Sequence, residues 1–183
     1  MKLYKKSSVA IVILVIATVM GLFFKVSAQS DNEISDEQIS LIKLNCLSTK
    51  ETLNRIHASD ALLRVNMGQI YESISTKLMA GFNGRVVGNN LNGVELVDVS
   101  SDYESTLDKF RADYIKYEEN LSSALAIDCS KQPVSFYDSV ASARLKRKQV
   151  NVDVKELNRL INLYEEAVNN IEEDFKILNS EVE

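Results

Sequence analysis

Residues 136–178 read FYDSVASARLKRKQVNVDVKELNRLINLYEEAVNNIEEDFKIL. Alternating steps of four and three residues select thirteen positions, of which twelve are apolar. Such a repeat places every selected side chain on one face of an α-helix, because its period nearly matches the helical turn. No proline or glycine interrupts the stretch, so it predicts one helix of about 65 Å. The selected positions are Phe136, Val140, Ala143, Arg147, Val150, Val154, Leu157, Ile161, Tyr164, Val168, Ile171, Phe175 and Leu178.

The chain begins with an export pattern. Lys2, Lys5 and Lys6 precede an uncharged run over residues 9–24, and small residues follow as far as Ala28. This order is typical of a secretory signal peptide cleaved after Ala28. The apolar run is also nearly long enough for a retained membrane anchor. Either form places the remainder outside the cytoplasmic membrane, since the positive flank stays inside.

The acidic charge of the chain after residue 28 limits the kinds of partner that it can bind. Residues 1–28 carry four lysines and no acidic residue, so the remainder is more acidic than the net charge of −5 for the whole chain. An acidic protein is a poor binder of nucleic acid, because binding to the phosphate backbone depends on cationic side chains. We expect no nucleic-acid partner, and contact with the membrane through the N-terminal segment alone.

A second apolar face predicts a helix from residue 36 to about residue 80. Ser35 and Gln38 form a capping-box pattern at its start. Further apolar residues widen the face, as a helix with two neighbours requires. Gly68 lies inside this helix and could mark a close approach or a bend. The face comprises Ile39, Ile42, Cys46, Thr49, Leu53, Ile56, Asp60, Leu63, Met67, Ile70, Ile74 and, after a one-residue slip, Leu78; the widening residues are Leu41, Leu44, Leu47, Leu62 and Val65.

Residues 81–100, GFNGRVVGNNLNGVELVDVS, interrupt the helical pattern with glycines and asparagines and predict a tip loop, formed either as a small hairpin or as helix frayed into loop. Ser101 and Glu104 then form a second capping box at the start of a middle helix. Pro133 suits the first turn of the last helix, where its missing N–H is harmless. The face of the middle helix comprises Tyr103, Leu107, Phe110, Tyr114, Tyr117, Leu121 and Ala124.

The predicted fold is all-α: an N-terminal signal or anchor helix followed by an elongated three-helix antiparallel coiled-coil bundle. We assign residues 1–28 to the signal peptide or anchor and residues 29–35 to an acidic tether. Residues 36–178 form the bundle with its tip loop at 81–100, and residues 179–183 form a frayed tail.

The two cysteines lie at matching heights in this arrangement. Cys46 lies about 50 Å below the tip along the first helix, and Cys129 lies about 40 Å below it along the middle helix. The long loop can absorb the difference, and disulfides persist outside the cytoplasm. We therefore predict a Cys46–Cys129 disulfide, with two unpaired core cysteines as the alternative.

Two charges interrupt the apolar faces. Asp60 and Arg147, together with Tyr114, fall near one layer when counted from the cysteines. We predict an Asp60–Arg147 ion pair with the Tyr114 hydroxyl nearby, forming a buried polar layer. Outward-pointing charges are one alternative, and a polar ligand pocket at this layer is another. The basic run Arg144, Lys146, Arg147 and Lys148 is expected to pair with Asp113, Glu118 and Glu119, although an anionic wall polymer is a second possibility.

The residues needed for catalysis are missing. His57 is the single histidine and lies in mid-helix, where a surface position is the simplest interpretation. No His, Cys or carboxylate cluster has metal-ligand spacing, and the glycines form neither GxxxxGK nor GxGxxG. We expect a non-enzymatic protein with no cofactor, and the sequence does not favour a small-molecule ligand.

Two stretches carry a family resemblance. Residues 51–78, ETLNRIHASDALLRVNMGQIYESISTKL, and residues 129–157, which contain CSKQPVSFY and ARLKRKQVNVDVKEL, resemble exported helical proteins of unknown function from the small-genome Patescibacteria. The resemblance covers most of the chain after the signal segment. It implies an envelope location and an all-helical fold, and it implies no activity.

Three functions remain in view. The first is a non-enzymatic envelope scaffold or interaction protein, which contacts a protein partner or a second copy of itself. Its candidate partner-binding residues lie in the tip loop, because loops on rigid scaffolds often carry binding. The second is an extracytoplasmic ligand-sensing bundle that acts through a membrane partner. The third, a hydrolase, lacks a catalytic constellation. The tip-loop candidates are Asn83, Arg85, Asn89, Asn90 and Asn92.

Overall fold

The computed structural model describes residues 34–180, with side chains described as far as residue 177. The predicted signal or anchor segment 1–28 and all but the last two residues of the tether 29–35 lie outside the described residues. Within residues 34–180 every regular element is a helix and there is no strand, so the fold is all-α. None of the described helices is both long and apolar enough to cross a membrane.

Five α-helices and one π-helical segment make up this part of the chain. The first is capped as predicted, since the Ser35 and Gln38 side chains each accept a hydrogen bond from the other's backbone N–H. The last begins at Pro133, also as predicted. In chain order the elements are α1 (Asp36–Leu44), α2 (Cys46–Ser73), the π segment (Ile74–Met79), α3 (Ala80–Gly88), α4 (Val94–Ala126) and α5 (Pro133–Ser180).

Hydrogen bonds between helices give their relative directions. The Tyr117 hydroxyl donates to Asp60, and the Tyr103 hydroxyl donates to the carbonyl of Tyr71, so α4 runs antiparallel to α2. Arg147 donates to Asp60 and Tyr164 donates to the carbonyl of Met79, so α5 runs in the same direction as α2.

The predicted loop over residues 81–100 is wrong. Helix α3 continues to Gly88 and α4 begins at Val94, which leaves only residues 89–93 between them. Phe82, Val86 and Leu96 from this stretch pack into the main core. Burial of these side chains outweighs the helix cost of the glycines, about 1 kcal/mol each. Ser101 therefore lies inside α4 and caps nothing, and the hairpin alternative is also wrong.

The short turn relies on two residues with special backbone demands. Asn90 adopts a φ of 55°, in the left-handed region that asparagine tolerates better than most residues. A Cβ on Gly93 would lie 2.8 Å from Cγ1 of the buried Val86, so the close approach of α3 and the start of α4 requires glycine. Gly68 has no such role, because a Cβ there would meet nothing within 4 Å.

The buried face of the first predicted helix departs from the prediction just before the π segment. Tyr71, which precedes the segment, is buried, and so are Ser75 and Met79 within it. The π segment adds one residue to the helical repeat there. The predicted face members Ile70 and Leu78 are about half exposed instead, and so is Leu63, which lies two turns before Ile70. The buried face therefore leaves the predicted one at Tyr71, earlier than the slip predicted between Ile74 and Leu78, and continues at Met79 in place of Leu78.

The core is formed mainly between α4 and α5. Every predicted face residue of α4, from Tyr103 to Ala124, is buried. The largest cluster joins α4 and α5 to Tyr71, Met79 and Val86. A smaller one surrounds the cysteines. Helix α5 extends through Ser180, so the predicted frayed tail does not begin at residue 179.

Candidate functional site

Asp60 accepts three hydrogen bonds midway along α2. Nε and Nη2 of Arg147 donate to its Oδ2 and Oδ1 at 2.7 and 2.9 Å. The hydroxyl of Tyr117 donates to Oδ2 at 2.6 Å. Asp60 is 9% exposed, whereas the Arg147 side chain is 55% exposed. The predicted ion pair is therefore present at the edge of the core, with one partner in water.

The hydroxyl beside Asp60 belongs to Tyr117, and the predicted neighbour Tyr114 instead donates to Glu118 at 3.3 Å. The reason is the tilt of helical side chains toward their own N-terminus. On the antiparallel α4 this tilt moves a tyrosine hydroxyl away from the cysteine end, about one turn beyond its Cα.

These contacts fix the charge states of the group. Burial would raise the pKa of Asp60, but the hydrogen bonds from Arg147 and Tyr117 and the electrostatic effect of the neighbouring Arg147 lower it below its ordinary value. Burial and the hydrogen bond to Asp60 raise the pKa of Tyr117. Asp60 is thus ionised and Tyr117 protonated at neutral pH, which is the combination that their hydrogen bond requires.

A cleft of about 450 Å³ opens beside this ion pair, between α2, α4 and α5. Its volume falls within the range of about 300–1,000 Å³ that is typical of small-ligand sites. Aliphatic and aromatic side chains line its interior, and four cations and Asp60 surround them. The apolar lining comprises Leu63, Met67, Tyr71, Phe110, Val150 and Val154; the cations are Arg64, Arg144, Arg147 and Lys148.

The cations of the cleft differ in their partners. Arg147 is bound to Asp60, and the guanidinium of Arg64 lies 5.1 Å from the centre of the Tyr114 ring. Within the described part of the chain, Arg144 and Lys148 form no ion pair. These two cations therefore remain available to an anion that enters the cleft.

The predicted pairing of the basic run with the acids of α4 is wrong. Glu118 contacts His57 and Tyr114, and Asp113 pairs with Lys116 at 2.8 Å. At this level three residues of the basic run, Arg144, Arg147 and Lys148, line the cleft beside α2, and Lys146 does not. His57 is a partly exposed residue that joins α2 to α4 through Glu118.

The five predicted tip residues mostly support the turn itself. Asn83 is partly buried, donates to Ser100 at 2.9 Å and accepts from the Tyr164 hydroxyl at 2.8 Å. The Arg85 guanidinium lies over the Phe82 ring. The other three shape the chain locally: Asn89 donates to the carbonyl of Arg85, Asn90 holds the left-handed position, and Asn92 accepts from the N–H of Val94.

Cys46 and Cys129 form a disulfide with a Cα–Cα distance of 5.6 Å. Both are buried, in a cluster with Phe136. Nearby, Lys50 donates to the carbonyl of Ile127 at 3.0 Å, where α4 has just ended. The bridge and this hydrogen bond join the beginning of α2 to the turn between α4 and α5.

Asp153 is a buried carboxylate that sequence reasoning missed. It is 5% exposed, and its Oδ2 has no hydrogen-bond partner among the residues that the structure describes, while Oδ1 accepts from Gln149 at 3.2 Å. Burial and the charge of Asp113 raise its pKa, against the hydrogen bond from Gln149. In residues 34–180 no group of three histidine, cysteine or acidic side chains is placed to hold a metal ion.

A ligand pocket at the Asp60–Arg147 layer was only an alternative in the sequence analysis, and the apolar lining of the cleft was not predicted. Its cations come from α2 and α5 and its aromatic residues from α2 and α4, so no single stretch shows the combination. One available signal was the pair Tyr114 and Tyr117 on the same face as Phe110, since adjacent phenols in an apolar face need polar partners when buried.

Comparisons with known proteins give no relative for this chain. No protein-family model, no curated protein and no solved structure matches it significantly.

Proposed function

We propose that the protein is a non-enzymatic scaffold or interaction protein of the cell envelope, which self-associates through the outer surface of α2. In this proposal the helices form an elongated three-helix antiparallel coiled-coil bundle that stands outside the cytoplasmic membrane. The observation that carries the proposal is a row of exposed apolar side chains on the first helices.

Four residues of this row are more exposed than an apolar core position allows. Leu44 and Leu47 are 81% and 83% exposed, and Leu62 and Val65 are 68% and 51% exposed. Single exposed leucines are ordinary on protein surfaces, but a contiguous group marks a site of association.

The spacing places three of the four on one line. Leu47 and Val65 are eighteen residues apart within α2, which is five whole helical turns or about 27 Å. Leu62 precedes Val65 by three residues and so belongs to the same face. We call Leu47, Leu62 and Val65 the α2 stripe. A second copy of the chain would bury it against an identical stripe, as two-fold dimers do.

The envelope location rests on the sequence of residues 1–28, with retention as an anchor or cleavage after Ala28 as the two forms. The resemblance to exported helical proteins of Patescibacteria points to the same location. N-terminal sequencing of the protein recovered from an exporting host distinguishes the two forms. Recovery of the intact chain in the cytosol would contradict export.

Site-directed photocrosslinking of the full chain tests the association. Benzoylphenylalanine in place of Leu62 should give a covalent species of twice the chain mass on a denaturing gel. The same photoreactive residue in place of Val152, which is 56% exposed on α5, is the matched control and should give none.

Leu47→Lys and Val65→Lys, introduced together, should abolish the crosslink through Leu62, because two charges would face each other across the interface. An equal yield of dimer from Leu62 and Val152, or a yield unchanged by the lysines, would overturn the proposal. Both substituted positions are exposed, so the fold should persist, and circular dichroism checks this.

The cleft favours a second candidate function, an extracytoplasmic ligand-sensing bundle that acts through a membrane partner. Its lining combines an apolar interior with three cations, Arg64, Arg144 and Lys148, that lack an acidic partner within the described residues. Ligand sites in helical bundles are commonly built from side chains on facing helices. Binding in the cleft and association through the α2 stripe use separate residues and are tested separately.

A further inference from the structure

We propose that the cleft between α2, α4 and α5 binds a fatty carboxylate with a single chain. The carboxylate lies against Arg144 and Lys148, and the alkyl chain lies on Met67, Tyr71 and Phe110. The inference rests on the second candidate function, ligand sensing, and names the class of ligand.

The charge around the cleft selects an anion. Four cationic side chains line it against one carboxylate, that of Asp60, which Arg147 and Tyr117 already engage. This excess of positive charge is local, since the whole chain carries a net charge of −5. A cationic ligand would be repelled, whereas a carboxylate would gain charge-assisted hydrogen bonds from Arg144 and Lys148.

The interior of the cleft selects an apolar body. The Tyr114 and Tyr117 hydroxyls are already bonded to Glu118 and Asp60, so these residues present ring surface to a ligand. Tyr71 and Phe110 pack edge to face, with ring centroids 5.7 Å apart. A polyhydroxylated sugar would leave hydroxyls unpaired on such a surface, which costs binding energy.

The size and the open side of the cleft favour one chain. A volume of about 450 Å³ accommodates a single alkyl chain with its headgroup, but the two chains and headgroup of a phospholipid need more room. Leu63 lines the opening and is 56% exposed, so it forms an apolar edge over which a chain can enter. The occupant is therefore a monomeric fatty acid.

Photolabelling of the full chain tests the site without depending on how the N-terminal segment is held. The probe is dodecanoate with a diazirine at the end of its alkyl chain, and its matched control is the corresponding diazirine alcohol. Mass spectrometry of the digested protein should locate the carboxylate label on peptides that contain Met67, Tyr71 or Phe110. Unlabelled dodecanoate should compete, and dodecyltrimethylammonium should not.

Arg144→Gln combined with Lys148→Gln should lower this labelling about tenfold, which corresponds to the loss of one to two charge-assisted contacts. Lys146→Gln is the matched control, because Lys146 belongs to the same basic run but does not line the cleft. It should leave labelling unchanged. Arg147 is kept in every variant, since its removal would leave Asp60 unpaired. If the double variant fails to fold, each single substitution is expected to lower labelling by a smaller factor.

Three outcomes would overturn the inference. The first is equal labelling by the carboxylate and the alcohol, because the cations would then select nothing. The second is label confined to residues 1–28 or spread evenly over the helices, which indicates partition into a membrane. The third is unchanged labelling in the Arg144 and Lys148 variants. None of these outcomes affects the crosslink through Leu62.

Discussion

Asp60 is held by one cation and one phenol, and this makes its contribution to stability dependent on pH. Its pKa lies below the ordinary value, so the native state binds fewer protons than the unfolded state in the acid range. The stabilisation is therefore complete above the unfolded pKa, near pH 4, and is lost as pH falls through the lower folded pKa.

We predict that Asp60→Asn lowers the free energy of unfolding by about 1–2 kcal/mol at pH 7, the value of hydrogen bonds to a charged group discounted for the exposed Arg147. The deficit should shrink below pH 4, where the unfolded chain binds a proton at Asp60, and should disappear below the folded pKa, where the native chain binds it too. Urea unfolding followed by circular dichroism at pH 7 and pH 3 measures both values. A deficit that is the same at the two pH values would contradict the assignment.

Asp153→Asn is the matched control, because it changes a buried acid with the opposite shift. The pKa of Asp153 is raised, so its carboxylate destabilises the fold once pH exceeds the unfolded value. Asn at this position should therefore raise the unfolding free energy at pH 7, by an amount on the order of 1 kcal/mol for a relieved unpaired group. Two Asp→Asn changes in one chain should thus act in opposite directions.

Among the helices, Gly→Ala substitutions distinguish glycines that only cost backbone entropy from a glycine that close packing requires. Gly68 lies inside α2 and Gly84 inside α3, and a Cβ at either would meet nothing within 4 Å. We predict that Gly68→Ala and Gly84→Ala each raise the unfolding free energy by roughly 0.5–1 kcal/mol, because alanine loses less backbone entropy in a helix.

Gly93→Ala should instead lower it by about 1–3 kcal/mol, since the new methyl group overlaps Val86. Thermal unfolding of the three single variants under one set of conditions gives the order. A stabilised Gly93→Ala variant would mean that α3 and α4 separate easily at their turn.

The same residues show how far the sequence predicts the elements. The four-three repeat correctly gave the face of α4, and the capping pattern at Ser35 and the Pro133 rule correctly gave two helix starts. The loop prediction for residues 81–100 was wrong, because it rested on glycine and asparagine, which indicate only the local backbone preference. The burial of Phe82, Val86 and Leu96 against α4 and α5 is a tertiary gain that no local signal contains.

The Asp60–Arg147 pair could be predicted from the sequence, but the cleft beside it could not, because the cleft depends on tertiary contacts. Asp60 and Arg147 stand out in the sequence because each is a charged residue within a long apolar face. Counting residues along the helices from the cysteines then places the two at one height. It does not give the direction in which each side chain leans, and so it selected Tyr114 in place of Tyr117. The cleft depends on how far α2 lies from the α4–α5 pair, which is a tertiary distance that no local sequence pattern contains.

For the whole molecule, the attachment of the first helices to the α4–α5 pair is uneven. Toward the turn at residues 89–93, Tyr71, Met79 and Val86 bury α2, the π segment and α3 in the main core. Toward the other end, Leu44, Leu47 and Leu62 are exposed. There the chain depends on the Asp60 group and on the disulfide between Cys46 and Cys129.

We therefore predict that reduction of the disulfide acts locally before it acts globally. The bridge spans 83 residues, for which the chain-entropy model gives roughly 4–5 kcal/mol of stabilisation. Amide hydrogen exchange should accelerate in α1 and in the first half of α2, while amides near Tyr103 and Leu160 in the core of α4 and α5 remain protected. Cys46→Ser with Cys129→Ser should reproduce the pattern without reductant.

The contrary result would be a uniform acceleration across all helices, or none at all. Uniform acceleration would mean that the first helices and the α4–α5 pair unfold as one cooperative unit, so the exposed leucines would not weaken that end. No acceleration would mean that contacts such as Lys50 to Ile127 and Asp60 to Arg147 suffice to attach α2. The predicted intermediate result follows because these few polar contacts are partly in water, where each contributes only about 1 kcal/mol. The disulfide thus contributes more than these polar contacts to holding the end of α2 that packs least against the core.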